Sequence, residues 1–339
     1  MGLWKEHVDA LFIIKDMFFE KESGGCRMKK LLFIYNPNAG KGLLRPRLAD
    51  VLDIFVKAEY ELTVYPTQSY RDAYHKIVHM EDVYDLVVCS GGDGTLDEVV
   101  TGMMHRSSKI PIGYIPAGTT NDFASSLHIS RDILSAANTA VHGVPFACDI
   151  GTFNKDVFVY VAAFGLFTDV SYQTNQTLKN MLGHAAYVLE GVKRLSNIPS
   201  YKIRVTHDGE VLEDEFMIGM VTNSKSVAGF RGIVGKKVLF DDGEFEVTLI
   251  KKPKNPLELQ AIITALLVEN FDTEYMYTFR TGNIVFESKE EIPWTLDGEF
   301  GGQHDVVEIW NKKQALQIMV DPQMLGGMIE EKTEEEGGL

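Results

Sequence analysis

At 339 residues, with 45% hydrophobic and 24% charged side chains, the chain is long enough for two domains and has the ordinary balance of a globular protein. A formal net charge of −15 argues against a nucleic-acid binder held by phosphate contacts. Three widely spaced cysteines (Cys26, Cys89 and Cys148) without a CxxC pair argue against a disulfide framework or zinc knuckle and fit a reducing cytosol.

Residues 1–27 read as an appendage outside the core fold. Their apolar runs Leu11–Ile14 and Met17–Phe19 are interrupted by Lys15 and Asp16, and Glu20–Glu22 stand where a signal peptide would carry small residues. No segment supplies the roughly 18 nearly uncharged apolar residues of a spanning helix. From Met28 the pattern alternates. Strand-like runs at 30–35, 60–66, 84–89 and 111–115 are separated by helical patterns at 43–58, 69–79 and 95–105, with another at 130–142. This predicts an α/β domain over 28–148 with a mostly parallel sheet, whose ligands bind beyond the carboxyl ends of the strands.

After Asp149 strands dominate, at 156–163, 200–207, 212–222, 244–251, 275–286, 292–296 and 305–310. Asp-Gly turns (208–209, 242–243 and 297–298) punctuate them, and helical patterns remain at 178–195 and 255–268. The fold class predicted is therefore α/β plus β, with a β-rich sandwich over 149–313. A last strand within 314–325 is placed to return to the first domain. Residues 330–339, acidic and glycine-ended, read as a disordered tail.

Three loops at strand ends carry unusual chemistry. Ser90-Gly-Gly-Asp-Gly-Thr-Leu-Asp-Glu98 follows the third strand; its glycines admit close backbone approach, and Thr95 with Glu98 has capping-box spacing for a helix beginning at Thr95. Such a helix start is an anion site. Asp93 there would repel a bare phosphate, so it fits a bridging divalent cation. Asn36-Pro-Asn-Ala-Gly-Lys-Gly42 is not a Walker A loop, yet Gly40, Gly42 and Lys41 suit phosphate. Pro116-Ala-Gly-Thr-Thr-Asn-Asp122 adds a second carboxylate, Asp122, at an adjacent strand end; two such carboxylates suit magnesium, although Asn121 and Asp122 are also good helix caps.

In this order the three loops resemble the soluble bacterial diacylglycerol kinase family, which shares its catalytic domain with eukaryotic diacylglycerol, sphingosine and ceramide kinases. The resemblance runs from Lys30 to about Val320 and includes Val144–Gly151, Thr222-Asn223-Ser224, Phe240–Gly243 and Leu296-Asp297-Gly298-Glu299. It implies an ATP-binding domain of the NAD kinase/diacylglycerol kinase type and a β-rich domain completing the cleft. ATP contacts would come from Asn36, Pro37, Asn38, Ala39, Gly40, Lys41, Thr67, Gly92, Asp93, Gly94, Thr95, Leu96, Asp97, Glu98 and Thr119. Asp93 and Asp122 would belong to a magnesium–water network, and Glu299 would be the general base. Asp242, with the carbonyls of Leu239 and Glu244, would hold a second, structural magnesium; the plain alternative is an Asp-Gly hairpin turn.

Two departures from many relatives, Phe164 and Tyr160, are expected to line the acceptor cleft. The implied activity is ATP- and Mg²⁺-dependent phosphorylation of diacylglycerol or a related lipid alcohol. It would be performed peripherally at the cytosolic face of the cell membrane, with no nucleic-acid partner and with a homodimer left open. The competing readings are a soluble-substrate kinase of the NAD kinase type and an inactive lipid-binding regulator.

Overall fold

The computed structural model of the chain describes residues 27–119, 121–165, 199–224, 238–268 and 270–323. The extension through Cys26, the helix expected at 178–195 and the acidic tail lie outside these residues.

The first domain is built on four parallel strands: β1 (Lys29–Tyr35), β2 (Tyr60–Pro66), β3 (Leu86–Gly91) and β4 (Ile112–Pro116), in the order β4-β3-β1-β2. All six residues of β3 and all five of β4 are buried, as expected where helices cover both faces of a parallel sheet. The covering helices are α1 (Leu48–Lys57), α2 (Asp72–Val78), α3 (Asp93–Met104), the short α4 (Asp122–Ser126) and α5 (Ile133–His142). The helical pattern read from residue 43 begins as isolated 3₁₀ turns at Ala39–Lys41 and Arg45–Arg47.

Helix α3 starts two residues earlier than the capping-box spacing suggests. Gly92 is its N-cap, and Glu98 does not fold back on its own helix. The Glu98 carboxylate instead accepts from the amides of Arg71 (2.8 Å) and Ala73 (3.0 Å), so it caps α2. A residue in the second turn of α3 thereby fixes the neighbouring helix.

The second domain carries β5 (Val144–Phe153), β6 (Asp156–Phe158), β7 (Val161–Gly165), β8 (Tyr201–His207), β9 (Glu210–Thr222), β10 (Phe245–Lys251), helix α6 (Pro256–Leu267), β11 (Met276–Thr281), β12 (Asn283–Leu296) and β13 (Glu299–Val320). Gly282 divides the run read as 275–286, and the short runs after it merge into two long strands. The pairings here are antiparallel, and aromatic packing dominates the core: Phe153, Phe158, Phe164, Phe216, Phe245, Phe286 and Trp294 are almost wholly buried.

β13 joins the two halves. Over its 22 residues it pairs with β12, then with β5, and finally in parallel with β4 at Ile318 and Ile112. The turn bearing Glu299 is thus tied by one strand to the nucleotide-type sheet.

Candidate active site

The three chemical loops meet at the carboxyl ends of β1, β3 and β4, and their backbones touch. The Asn36 amide donates to the Ser90 carbonyl (2.9 Å), and the Ala117 amide to the Gly91 carbonyl (2.8 Å). Gly40 has φ +53°, and a Cβ there would lie 2.1 Å from the Ala117 carbonyl oxygen. A Cβ on Gly118 would lie 2.6 Å from Gly92 Cα. These glycines are required by loop-on-loop contact whatever the ligand.

Together the loops line a cleft of about 490 Å³ bounded by Asn36, Asn38, Ala39, Gly40, Thr67, Gly92, Gly94, Thr95, Asp97, Glu98, Thr119 and Glu299. Gln68, Ser69, Tyr70 and Gly118 also line it and were not singled out from the sequence. The first three sit between β2 and α2, and only the Thr67 resemblance pointed there. Four of the residues expected to contact nucleotide, Pro37, Lys41, Asp93 and Leu96, stand outside that lining. Leu96 is 1% exposed and packs in the core, because its place in the first turn of α3 faces the sheet. Pro37 and Lys41 lie on the same loop outside the cleft lining, with Lys41 at φ +60°.

Asp93 stands behind the glycine turn. One of its oxygens, Oδ2, accepts from the Asn121 amide (2.9 Å) at the start of α4. The other, Oδ1, is buried without a protein hydrogen-bond partner. Burial, and then the nearby Asp122 carboxylate, push the Asp93 carboxyl upward against the pull of the Asn121, Asp122 and Phe123 amides. Asp122 itself is 4% exposed. An orphaned carboxylate oxygen beside a second carboxylate suits a magnesium ion that keeps most of its water and phosphate ligands. No group of three His, Cys, Asp or Glu side chains poised for a metal occurs among the described residues, so an all-protein cage is not formed here.

Glu299 opens β13 immediately after the Asp297-Gly298 turn. Asp297 has φ +51° and is 6% exposed. Its Oδ2 accepts from the Val159 amide (2.6 Å), and its Oδ1 from the Tyr160 and Val161 amides (both 2.9 Å). The Tyr160 hydroxyl donates to the Asp297 carbonyl (3.0 Å). Asp97, from α3, lies within hydrogen-bond reach of the Asp297 carboxyl. Burial raises Asp297 to about 6 despite its three amides, and burial plus the Asp297 charge raise Asp97 well above the usual carboxylate range. The two carboxyl groups, one from each domain, thus lie together beside Glu299. Sequence reading missed this pair, since both residues sat inside motifs that explained them otherwise.

Phe164 does not line the cleft. It is fully buried, its ring 4.8 Å from that of Trp294, and it fills the space a Cβ on Gly219 would take. Tyr160 is likewise absent from the lining of either cleft; it is 7% exposed and faces the acidic group formed by Asp297, Asp93, Asp122 and Asp97, whose charges follow burial in raising its hydroxyl well above the usual range. Thr222-Asn223-Ser224 is a stitch within the fold: Asn223 donates to the Asp149 carbonyl (2.9 Å), and Ser224 meets Ser126 at 2.7 Å.

Known proteins share this arrangement. The diacylglycerol kinase catalytic domain family matches residues 30–153, and the YegS C-terminal NAD kinase beta sandwich-like domain matches residues 161–325. A diacylglycerol kinase of Bacillus subtilis (strain 168) is 35% identical over 278 residues, covering 81% of this chain and 91% of that protein. The chain belongs to the diacylglycerol kinase family. A diacylglycerol kinase of Staphylococcus carnosus (strain TM300) is also 35% identical, over 86% of this chain and 94% of its own. A crystal structure from Bacillus anthracis str. Sterne, provisionally assigned as a diacylglycerol kinase, superposes with a TM-score of 0.74 at 25% identity, covering 88% of this chain and all of that one. The chain is accordingly a lipid kinase, with an α/β catalytic domain and a β-sandwich-like second domain. No helix among the described residues is long and apolar enough to cross a membrane.

Proposed function

We propose that this lipid kinase transfers the γ-phosphoryl group of ATP, with magnesium, to the free hydroxyl of diacylglycerol, giving phosphatidic acid. The position of Glu299 carries the reading. Its carboxylate borders both the glycine-loop cleft and a second cleft of about 220 Å³ beside it. Glu299 Oε1 lies 4.0 Å from where a Cβ on Gly94 would stand, in the first turn of α3.

In this mechanism the triphosphate lies along the Asn36–Gly40 loop and the amino end of α3, where the helix dipole receives its charge. Glu299 accepts the proton of the lipid hydroxyl as that oxygen bonds to the γ-phosphorus; the bond to the bridging oxygen breaks and ADP leaves. Asp93 and Asp122 would hold magnesium, which when bound neutralises phosphate charge. Asp297 orients Glu299 through its three backbone bonds.

The second cleft suits the acceptor. Tyr70, Leu296 and Phe300 give it an apolar wall, while Asp97, Glu98, Asp156 and Glu299 outnumber the one cation, Arg71. Such a wall favours an uncharged glycerol head over an anionic one. Phe300 and Tyr70 are 58% and 80% exposed, which places apolar surface at the rim for acyl chains approached from the cytosolic face of a membrane. Labelled-phosphate transfer from γ-labelled ATP to diacylglycerol in mixed micelles tests the proposal. Folded protein that phosphorylates no lipid alcohol in the presence of magnesium would refute it.

A further inference from the structure

The turn before β10 was expected to hold a structural magnesium through Asp242 and the carbonyls of Leu239 and Glu244. The structure engages two of those three donors with groups from the chain. Asp242 Oδ1 accepts from the Glu244 amide (3.0 Å), and its Oδ2 is bound by the Arg280 guanidinium. The Glu244 carbonyl accepts from Asn311 Nδ2 (3.2 Å).

Arg280 is placed by strand register. In the antiparallel pairing of β10 with β11 it stands opposite Glu246. Its guanidinium reaches three carboxylates: Asp242, Glu244 Oε2 at 3.5 Å and Glu246 Oε1 at 3.5 Å. Glu246 is 5% exposed, and a carboxylate this deep calls for a cation beside it. The planar fork suits several carboxylates at once, and its charge persists at any pH the protein meets. A divalent ion binding Asp242 would have to displace the guanidinium or sit against it, like charge on like charge.

We propose that Arg280 is the resident cation of the Asp242 turn, so that this chain closes the turn with its own guanidinium and needs no divalent ion there. The turn matters to the fold. Asp149, in β5, accepts from the Gly243 amide (2.6 Å) and the Gln314 amide (2.7 Å), which fastens the turn to the middle of β13. Arg280 therefore acts as a positioning residue for the strand that begins at Glu299. The inference is independent of which lipid is the acceptor.

Thermal unfolding of the nucleotide-free protein, in excess EDTA and in millimolar magnesium, tests it. Any difference between the two for wild type, such as magnesium at Asp93 and Asp122 would give, is expected to be unchanged in Asp242→Asn. Arg280→Gln removes the guanidinium from Asp242, Glu244 and Glu246 and is expected to unfold roughly 5–10 °C lower in EDTA, with magnesium restoring part of the loss. An Arg280→Gln chain that folds only with magnesium would support the proposal equally. If that variant fails to fold in either condition, the wild-type comparison decides. A wild-type midpoint that falls in EDTA and recovers with magnesium, in a manner abolished by Asp242→Asn, would overturn the proposal. So would an Arg280→Gln variant indistinguishable from wild type.

Discussion

Asp297→Asn separates folding from catalysis at the turn that carries Glu299. The ionised carboxylate is disfavoured by burial: moving it from the ordinary 3.8 to about 6 costs the charged form ~3 kcal/mol at neutral pH. The amide variant removes that cost. It keeps an oxygen for the Tyr160 and Val161 amides but turns an NH₂ toward the Val159 amide, losing a charge-assisted bond worth about 1.5–3 kcal/mol. The two effects nearly cancel, so stability near neutral pH should change by no more than about 1 kcal/mol.

The pH dependence should change instead. A folded-state value above the unfolded one means that the native protein holds the proton more tightly; the stabilisation is complete below the unfolded value and lost as pH rises through about 6. Wild type should therefore lose up to ~3 kcal/mol across that window, and the variant should be flatter by about that amount. Asp97 reinforces the difference, because removing its charged partner lowers its own raised value. Turnover should fall roughly a hundredfold, since the Val159 bond sets the turn carrying Glu299. Urea unfolding at several pH values and kcat at neutral pH provide the measurements. A variant with the wild-type pH slope would show that the proton resides elsewhere, and a variant with wild-type kcat would remove Asp297 from the positioning of Glu299.

Asp93→Ala should abolish nearly all turnover but also cost about 1–2 kcal/mol, because Asp93 receives the Asn121 amide; Asp93→Asn should lose comparable activity with a smaller drop in Tm, and near-wild-type kcat in either would remove the metal role. Phe300→Ala should raise KM for micellar diacylglycerol several-fold and leave KM for ATP unchanged, as read from two-substrate kinetics. Gly40→Ala sets a side chain against the Ala117 carbonyl at a positive φ; calorimetry should show a loss of about 1–3 kcal/mol, and ATP affinity should fall with it.

The parallel sheet was legible because buried strands alternate with amphipathic helices, and the loops were legible because glycines and acidic residues recur together at the ends of neighbouring strands. Packing decisions were not. Phe164 reads as a cleft residue next to a motif, yet β7 is buried on both faces, and its ring occupies the volume left by Gly219 one strand away. Glu98 has the spacing of a local cap, but α3 begins earlier at Gly92, which frees its carboxylate for α2. Each outcome depends on which distant backbone comes within reach, and one-dimensional spacing does not carry that information.

The same reasoning explains why Asp297 and Glu299, two residues apart, have different tasks. In a turn with φ +51° at Asp297 and +85° at Gly298, alternate side chains part company: one is driven under the β6–β7 connection, where three amides await it, and the other is left facing the cleft. The buried partner rigidifies the turn, and the cleft-facing carboxylate retains its contact with both clefts. Because β13 continues from that turn to Ile318 beside β4, Glu299 is referenced to the sheet that also sets the glycine loops. Phosphoryl transfer needs donor and acceptor aligned, and a strand spanning both domains contributes to that alignment beside the Asp97–Asp297 and Ser126–Ser224 contacts.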